Sequence, residues 1–330
     1  MSETRACSYV VPVRWTDGEQ RAGLAGYLAG LRRHCDEVIV VDGSPEAVFK
    51  ANAEAWGEQV THIPPDDGET CLNGKVAGVR TGVRRASHER IVLADDDVRY
   101  DLRSLRRVLE LLDEHDLVRP QNYFDPLPWH ARWDTARTLL NRCAGRDFPG
   151  TLAVRRTRVV AAGFYDGDVL FENLELIRTI RARGGRTAAP LDLYVARVPP
   201  TAAHFWGQRT RQAYDDFALP GRMAAWLAVA PLLLACGRRG RSAPVIALAV
   251  LAMLAAERGR RRGGGAAVFP ATSSTLAPVW ILERGVCAWL AVAQRLRFGG
   301  VRYGGNVIPV AAHTERELRK CRFGPGGSRA

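Results

Sequence analysis

Hydrophobic and polar positions in the first third of the chain alternate between two periods. Short β-branched runs, "SYVVPV" from Ser8, "EVIVVD" from Glu37, "QVTHI" from Gln59 and "RIVLA" from Arg90, read as strands. Between them "GLAGYLAGLRRHC", "EAVFKANAEAW", "NGKVAGVRTGVRRAS" and "DLRSLRRVLELLDEH" place apolar residues at helical spacing. Strands separated by helices of this length imply βαβ crossovers and a mostly parallel, Rossmann-like sheet with flanking helices. Ligands of such sheets bind beyond the carboxyl ends of the strands. Acids stand at two of these ends: Asp42 after the second strand, and Asp95, Asp96 and Asp97 in succession after the fourth. Three adjacent carboxylates raise one another's cost of ionisation, which points to a positive partner.

The pattern loosens from about residue 120 to 217. "PQNYFDPLPWHARW" looks irregular, followed by a strand-like "GTLAVRR", a turn "GFYDGD", a helix "ENLELIRTIRARGG" and then "HFWGQRTRQAYDDF". No repeat of solenoid or propeller length is present. The final third is apolar: "MAAWLAVAPLLLAC" (223–236), "APVIALAVLAMLAA" (243–256) and "LAPVWILERGVCAWLAVAQRL" (276–296), the last with Glu283 and Arg284 as an ion pair in its middle. A membrane span needs about 20 apolar residues, so the first two are marginal. A short transmembrane hairpin, in-plane helices and the buried helices of a soluble domain all remain open. Arg238, Arg239 and Arg241 lie between the first two segments and Arg258, Arg260, Arg261 and Arg262 after them. A spanning hairpin would strand one cluster on the non-cytoplasmic side, which favours shallow membrane association. The expected organisation is an α/β domain over 1–217, membrane-associating helices over 218–300 and a basic, flexible tail over 301–330.

Composition narrows the setting. With 330 residues and 47% hydrophobic content a substantial core is available, and the formal net charge is +12. The basic runs suit anionic headgroups or a solvated surface; no base-reading module accompanies them, so a nucleic-acid partner is not expected. The seven cysteines (Cys7, Cys35, Cys71, Cys143, Cys236, Cys287 and Cys321) show neither CxxC spacing nor a Cys/His cluster, and read as reduced thiols. The N-terminus enters a strand without the long apolar stretch of a signal peptide, which places the α/β domain in the cytosol.

Taken in order, "VVPVR", "VIVVDGSP", "NGKVAGVRTGV", "VLADDDV", "FENLEL", "QRTRQAYDDF" and the hydrophobic C-terminal part resemble the inverting glycosyltransferases of family 2, which have the GT-A fold. The resemblance covers most of the chain. It implies transfer of one sugar from a UDP- or GDP-sugar donor, assisted by Mn²⁺ or Mg²⁺, to a lipid or lipid-linked acceptor at the cytoplasmic membrane. Asp95 and Asp97 then resemble the two acids of the family's DXD motif and would hold the metal, with Asp95 and Asp96 also facing the donor. A turn in which Asp97 or Asp101 caps the next helix is the alternative. Asp42 resembles the residue that contacts the base or ribose, beside Pro12 and Arg14, and Asp-Gly is also a common turn pair. Lys75 resembles a basic residue that approaches the phosphates, although a solvated helix lysine has the same appearance.

The family's base is commonly the Asp of a Glu-Asp pair opening a helix, and here the pair is Glu172 and Asn173. An amide oxygen has no useful basicity, so Glu172 is the first candidate base and Glu175 the second, both also explicable as first-turn acids. Asp166 and Asp168 read as turn acids. Gln208 and Arg211 match the family's Q/RxxRW motif as donor-binding residues, with Gln212 where Trp would stand, which argues against polymer synthesis. His204 is a further candidate metal ligand or a packed histidine, and Trp129, Trp133 and Trp206 either line an acceptor cleft or pack in the core. Two other functions remain: a nucleotidyltransferase, and a membrane-bound sugar-nucleotide or lipid binding protein without turnover.

Overall fold

A computed structural model describes residues 6–16 and 21–320. The chain divides into two compact units that interleave in sequence. The first takes the chain as far as Pro120, Pro149–Ala189 and the segment from His313; the second takes Gln121–Phe148 and Pro190–Ala312. The segment expected as one domain over 1–217 therefore contributes to both.

The first unit opens with β1 (Ser8–Val13), α1 (Arg21–Leu31), β2 (Glu37–Asp42), α2 (Glu46–Trp56), β3 (Thr61–Ile63), α3 (Gly74–Arg85) and β4 (Arg90–Ala94). It continues through β5 (Val98–Arg99), α4 (Leu102–Leu111) and β6 (Leu117–Val118). After an excursion into the second unit through β7 (Gln121–Phe124) and α5 (Trp129–Ala144), it resumes with β8 (Thr151–Arg155), α6 (Arg156–Ala161), α7 (Glu172–Ala182) and β9 (Thr187–Ala188). The rest of the second unit is β10 (Tyr194–Arg197), α8 (Ala202–Tyr214), α9 (Pro220–Arg238), α10 (Ala243–Arg261), α11 (Ala271–Thr275), α12 (Ala277–Phe298), β11 (Val301–Tyr303) and β12 (Asn306–Ile308). The chain then returns to the first unit as α13 (Glu315–Lys320).

The fold of the first unit is the expected α/β one. Its seven-stranded sheet has the order β3-β2-β1-β4-β8-β6-β9, and only β8 runs against the others. Val10, Ile39, Val41, Ile91 and Leu93 of the sheet meet Val76, Val79 and Val83 of α3 and Ile177 and Ile180 of α7 in one core. Helix α3 lies unusually close to β1. A methyl group on Gly82 would sit 2.3 Å from Val10 Cγ1, and one on Gly78 2.9 Å from Pro12 Cβ. The four-residue spacing of these glycines in "NGKVAGVRTGV" puts them on one helix face, and only a bare backbone fits there.

The sheet parts between β1 and β4. The carbonyls of Cys7 and Val13 accept from the β2 side, from Glu37 N and Gly43 N. Even-numbered residues of β1 therefore face β4, yet pairing with β4 stops at Val10↔Leu93. Pro12, two residues on, has no N–H to extend the ladder. The missing donor opens the sheet at the point where strand order reverses, which is where open α/β sheets bind ligands.

In the second unit β7 and β10 pair in parallel. Helices α5, α10, α11 and α12 enclose a core of Leu139, Ala252, Ala256, Phe269, Ala277 and Trp280. Helix α5 falls in the stretch that reads as irregular. Its buried positions include Asp134, Thr135, Thr138 and Arg142, so hydrophobicity alone does not trace its inner face. Glu283 and Arg284 do not form the expected pair. Successive helical residues point apart: Glu283 pairs with buried Arg209 at 2.5 Å, whereas Arg284 turns toward Asp216 at 3.8 Å. The expectation of a flexible tail is also corrected for residues 301–320, which form the β11/β12 hairpin and α13, with Ile308 and Leu318 buried. Residues 321–330, including Cys321, lie outside the described part. Among the described residues one helix, α9, is long and apolar enough to cross a membrane.

Candidate active site

The β1/β4 opening gathers three charged side chains from separate parts of the sequence. Lys75, at the start of α3, reaches Asp95 Oδ1 after β4 and Glu172 Oε1 at the start of α7, each at 2.5 Å. Local structure aims the lysine. Asn73 caps α3 by accepting from Lys75 N, and its own amide donates to Val169 O at 3.0 Å, tying the helix start to the loop that leads into α7. Burial alone would lower the Lys75 ammonium, but Asp95 and Glu172 together hold it well above an ordinary lysine. It remains a cation throughout the physiological range. The solvated-lysine reading of Lys75 is therefore set aside.

Asp95, Asp96 and Asp97 occupy the turn between β4 and β5 and are all half-buried. Asp95 N donates to Gly150 O at 2.9 Å, which fixes the turn to the neighbouring β8 edge. Asp96 Oδ2 accepts from Trp15 Nε1, and Trp15 N in turn donates to Ser44 Oγ, so this acid links the ends of β1, β2 and β4. The helix cap named as the alternative is present at Asp101, which accepts from Ser104 N in a reciprocal capping box at the start of α4. Two hard carboxylates, Asp95 and Asp97, on one short turn suit a divalent cation of the Mg²⁺ or Mn²⁺ type.

The remaining predicted residues divide. Arg14 lies against the start of α3, its Nη1 3.3 Å from where a Cβ of Gly74 would be. Asp42 is almost completely buried, accepting from Asn52 Nδ2 (2.8 Å), His62 Nε2 (3.0 Å) and Ser44 N (2.9 Å). Burial would raise its carboxyl, yet these hydrogen bonds bring it below the usual aspartate value. Asp42 thus braces the turn after β2. Glu175 is fully buried, with both oxygens on His313, at 2.7 Å to its N and 2.9 Å to its Nδ1. The carboxylate beside Lys75 is consequently that of Glu172. Among the described residues Glu172 Oε2 makes no hydrogen bond, Oε1 being the atom that holds the lysine.

Asn173 Nδ2 donates to Pro149 O at 3.1 Å, a bond an aspartate cannot make. Gln208 and Arg211 belong to the second unit, on α8, where the Arg211 guanidinium lies 4.8 Å from the Tyr303 ring centroid. The neighbouring Arg209, not singled out by the motif, is the buried one. It bonds Asp134 Oδ1 (2.7 Å), Glu283 and Gln212 Oε1 (2.8 Å), which gives Gln212 a structural use of its own. Trp206 stands 6.3 Å from Trp129 and 6.1 Å from Trp133, with Trp129 and Trp206 exposed. Trp15, Asn73 and Asn52 also bear on the site. Their signals are hydrogen bonds between distant segments, which a sequence pattern does not display.

No protein-family model matches the chain, and no curated protein matches it in sequence. Among solved structures it is similar to a mannosyltransferase from Pyrobaculum calidifontis in complex with GDP-Man and Mn²⁺, at 17% identity over 86% of this chain and 87% of that one (TM-score 0.49). It is also similar to glucosyl-3-phosphoglycerate synthase from Mycobacterium tuberculosis, at 16% identity over 61% and 74% of the two chains (TM-score 0.43). A third is S. aureus TarS in complex with UDP-GlcNAc, at 14% identity over 61% and 60% (TM-score 0.42).

Proposed function

We propose that the protein is an inverting glycosyltransferase that moves one sugar from a UDP- or GDP-sugar to a hydroxyl of a lipid or lipid-linked acceptor at the cytoplasmic face of the membrane. The observation that carries this reading is the bridge Asp95–Lys75–Glu172 at the strand ends of a parallel sheet. It sets an acid of a DXD-like turn, a permanent cation and a carboxylate with one uncommitted oxygen side by side. Asp95 and Asp97 would hold a divalent cation, which supplies neutralisation of the charge on a departing nucleoside diphosphate.

The chain's own residues supply the rest. Glu172 Oε2 takes the acceptor hydroxyl's proton as that oxygen bonds to the anomeric carbon. The bond from that carbon to the diphosphate breaks on the opposite side, its electron pair leaving with the diphosphate, and the configuration inverts. Lys75 keeps Glu172 in place and adds positive charge beside the leaving group. Arg14 and Pro12 border the same opening at the end of β1.

Membrane attachment is supported by the second unit's surface. Ile246, Leu248, Leu251 and Leu254 on α10, Leu232 and Leu234 on α9, and Val286 and Leu290 on α12 are exposed. Large exposed apolar surfaces of this kind mark interaction sites. Exposed Arg238 ends α9, with Arg239 and Arg241 after it, and Arg258 and Arg261 lie in the last turn of α10, a placement suited to anionic headgroups. Holding the enzyme at the bilayer raises the effective concentration of a lipid acceptor.

The test is calorimetric titration of UDP- and GDP-sugars into the full detergent-solubilised chain, with and without Mn²⁺, and again with Asp97→Asn. Metal-dependent binding of one donor, lost in the variant, is expected. Absence of binding by every donor would overturn the reading. Flotation with vesicles containing anionic lipid tests the attachment separately.

A further inference from the structure

Away from the Lys75 bridge, the first unit holds a second group of metal-binding side chains. Asp166 from the turn before α7, Glu175 from α7 and His313 from the segment preceding α13 each offer one ligand atom, and these atoms all lie within 4.8 Å of one another. All three residues are buried, at 9%, 0% and 7% exposure. They come from three separate stretches of sequence, 138 residues separating Glu175 from His313. Nothing in the sugar-transfer reading uses any of them.

Glu175 and His313 are joined by hydrogen bonds, and Asp166 stands beside the same imidazole. Glu175 Oε1 is 2.9 Å from His313 Nδ1, a normal hydrogen-bond distance. Asp166 Oδ2 stands 3.8 Å from that same nitrogen, too far for one. The spacing about the imidazole nitrogen is also compatible with a coordination shell. Metal bonds of about 2.0–2.2 Å from histidine nitrogen and carboxylate oxygen hold neighbouring ligand atoms roughly 3.0–3.5 Å apart, a value bracketed by the two distances. The remaining contacts immobilise the ligands, as outer partners of metal sites do. Asp166 Oδ1 accepts from Asp168 N at 2.8 Å, Glu175 Oε2 accepts from His313 N, and Arg178 Nη1 donates to His313 O at 2.8 Å.

We propose that Asp166, Glu175 and His313 form a buried site for a borderline transition-metal ion of the Zn²⁺ type, fastening the returning C-terminal segment to α7. One imidazole and two carboxylates fill three positions and leave a fourth for water. The ligand set differs from the all-oxygen turn of Asp95 and Asp97, which suits harder cations. By anchoring the first turn of α7, the ion steadies the helix whose first residue is Glu172. The site stands whether or not the chain transfers sugar.

The experiment uses the full chain, stripped with a chelator and titrated with Co²⁺ and then Zn²⁺. A tetrahedral Co²⁺ site containing a nitrogen ligand absorbs strongly in the visible, whereas an octahedral all-oxygen site absorbs weakly. The expected result is one equivalent of strongly absorbing Co²⁺, displaced by Zn²⁺, with a higher melting temperature on Zn²⁺ addition. Asp97→Asn should leave the spectrum intact. Asp166→Asn should weaken metal binding beyond the roughly 10–100-fold that loss of an outer-shell partner costs. Asp166→Asn keeps side-chain shape, and the stripped variant should melt with the stripped parent, separating loss of the ion from loss of the fold. His313→Ala should abolish the absorption. An absent strong spectrum, or one that disappears with Asp97→Asn and persists in Asp166→Asn, overturns the proposal, and the three residues then constitute a hydrogen-bonded clasp.

Discussion

Replacing Asn173 by Asp separates a working enzyme whose base is Glu172 from an impaired one that has lost its aspartate. If Asn173 marks an impaired site, Asn173→Asp should restore turnover. The structure predicts the opposite. Asn173 Nδ2 donates to Pro149 O at 3.1 Å, and Pro149 immediately precedes Gly150, whose carbonyl accepts from Asp95 N. An aspartate has no N–H to give, so the substitution removes a hydrogen bond and faces a carboxylate toward a carbonyl oxygen. The loss of one bond with its acceptor left unsatisfied costs about 1–3 kcal/mol. For a unit of this size each kcal/mol lowers the melting temperature by roughly 2–4 °C. Because the broken bond supports the turn that carries Asp95, transfer should fall together with stability. Thermal melting and a radiolabelled-sugar transfer assay, using the donor that binds and a membrane lipid extract, give the two readouts. Increased transfer at unchanged melting temperature would refute both the structural use of Asn173 and the choice of Glu172.

Three further outcomes follow from side-chain environments elsewhere. Lys75→Met removes the cation between Asp95 and Glu172, and should tighten Mn²⁺ binding in the absence of nucleotide, read by electron paramagnetic titration, while lowering transfer at least about 100-fold if general-base positioning is lost. Arg209→Met leaves Glu283 and Asp134 without their buried partner, at a cost of about 3–5 kcal/mol in denaturant unfolding, and the double variant Arg209→Met with Glu283→Met should recover part of that loss. The depressed carboxyl of Asp42 contributes stability that is complete above its unfolded value, near pH 4, and is lost as pH falls through the lower folded value. Asp42→Asn should flatten the pH dependence of unfolding in that acid window.

What the sequence discloses follows from how far apart the partners lie. Strands β1, β2 and β4 are legible because a parallel sheet covered by helices buries both faces, leaving uninterrupted runs such as "VIVV" and "RIVLA". Helix α3 is equally plain, and its glycines at four-residue spacing even encode the close approach to β1. Helix α5 is obscured by the opposite circumstance. Its inner face is polar: Asp134 and Thr138 enter a network with Arg137, Arg209 and Asp147, while Arg142 bonds Gln121, Tyr194 and Arg262 O. Hydrophobic periodicity tests for apolar burial and passes over burial of paired charges.

The site shows the same division between local and distant information. A strand running into "DDD" and a helix opening with "ENLE" each have a local signature, so Asp95, Asp97 and Glu172 could be nominated from the chain alone. Choosing between Glu172 and Glu175 could not. The two carboxylates share a helical face at three-residue spacing, yet one meets Lys75, 97 positions earlier, and the other meets His313, 138 positions later. Their chemistry diverges accordingly. In the proposed reading the carboxylate paired with an ammonium at the sheet opening takes the acceptor's proton, whereas the carboxylate sealed against an imidazole holds the chain's return. Neighbouring acids on a single turn of helix thus acquire separate surroundings from the remote segments that fold against them, which is why a motif can nominate two acids but only tertiary contacts distinguish them.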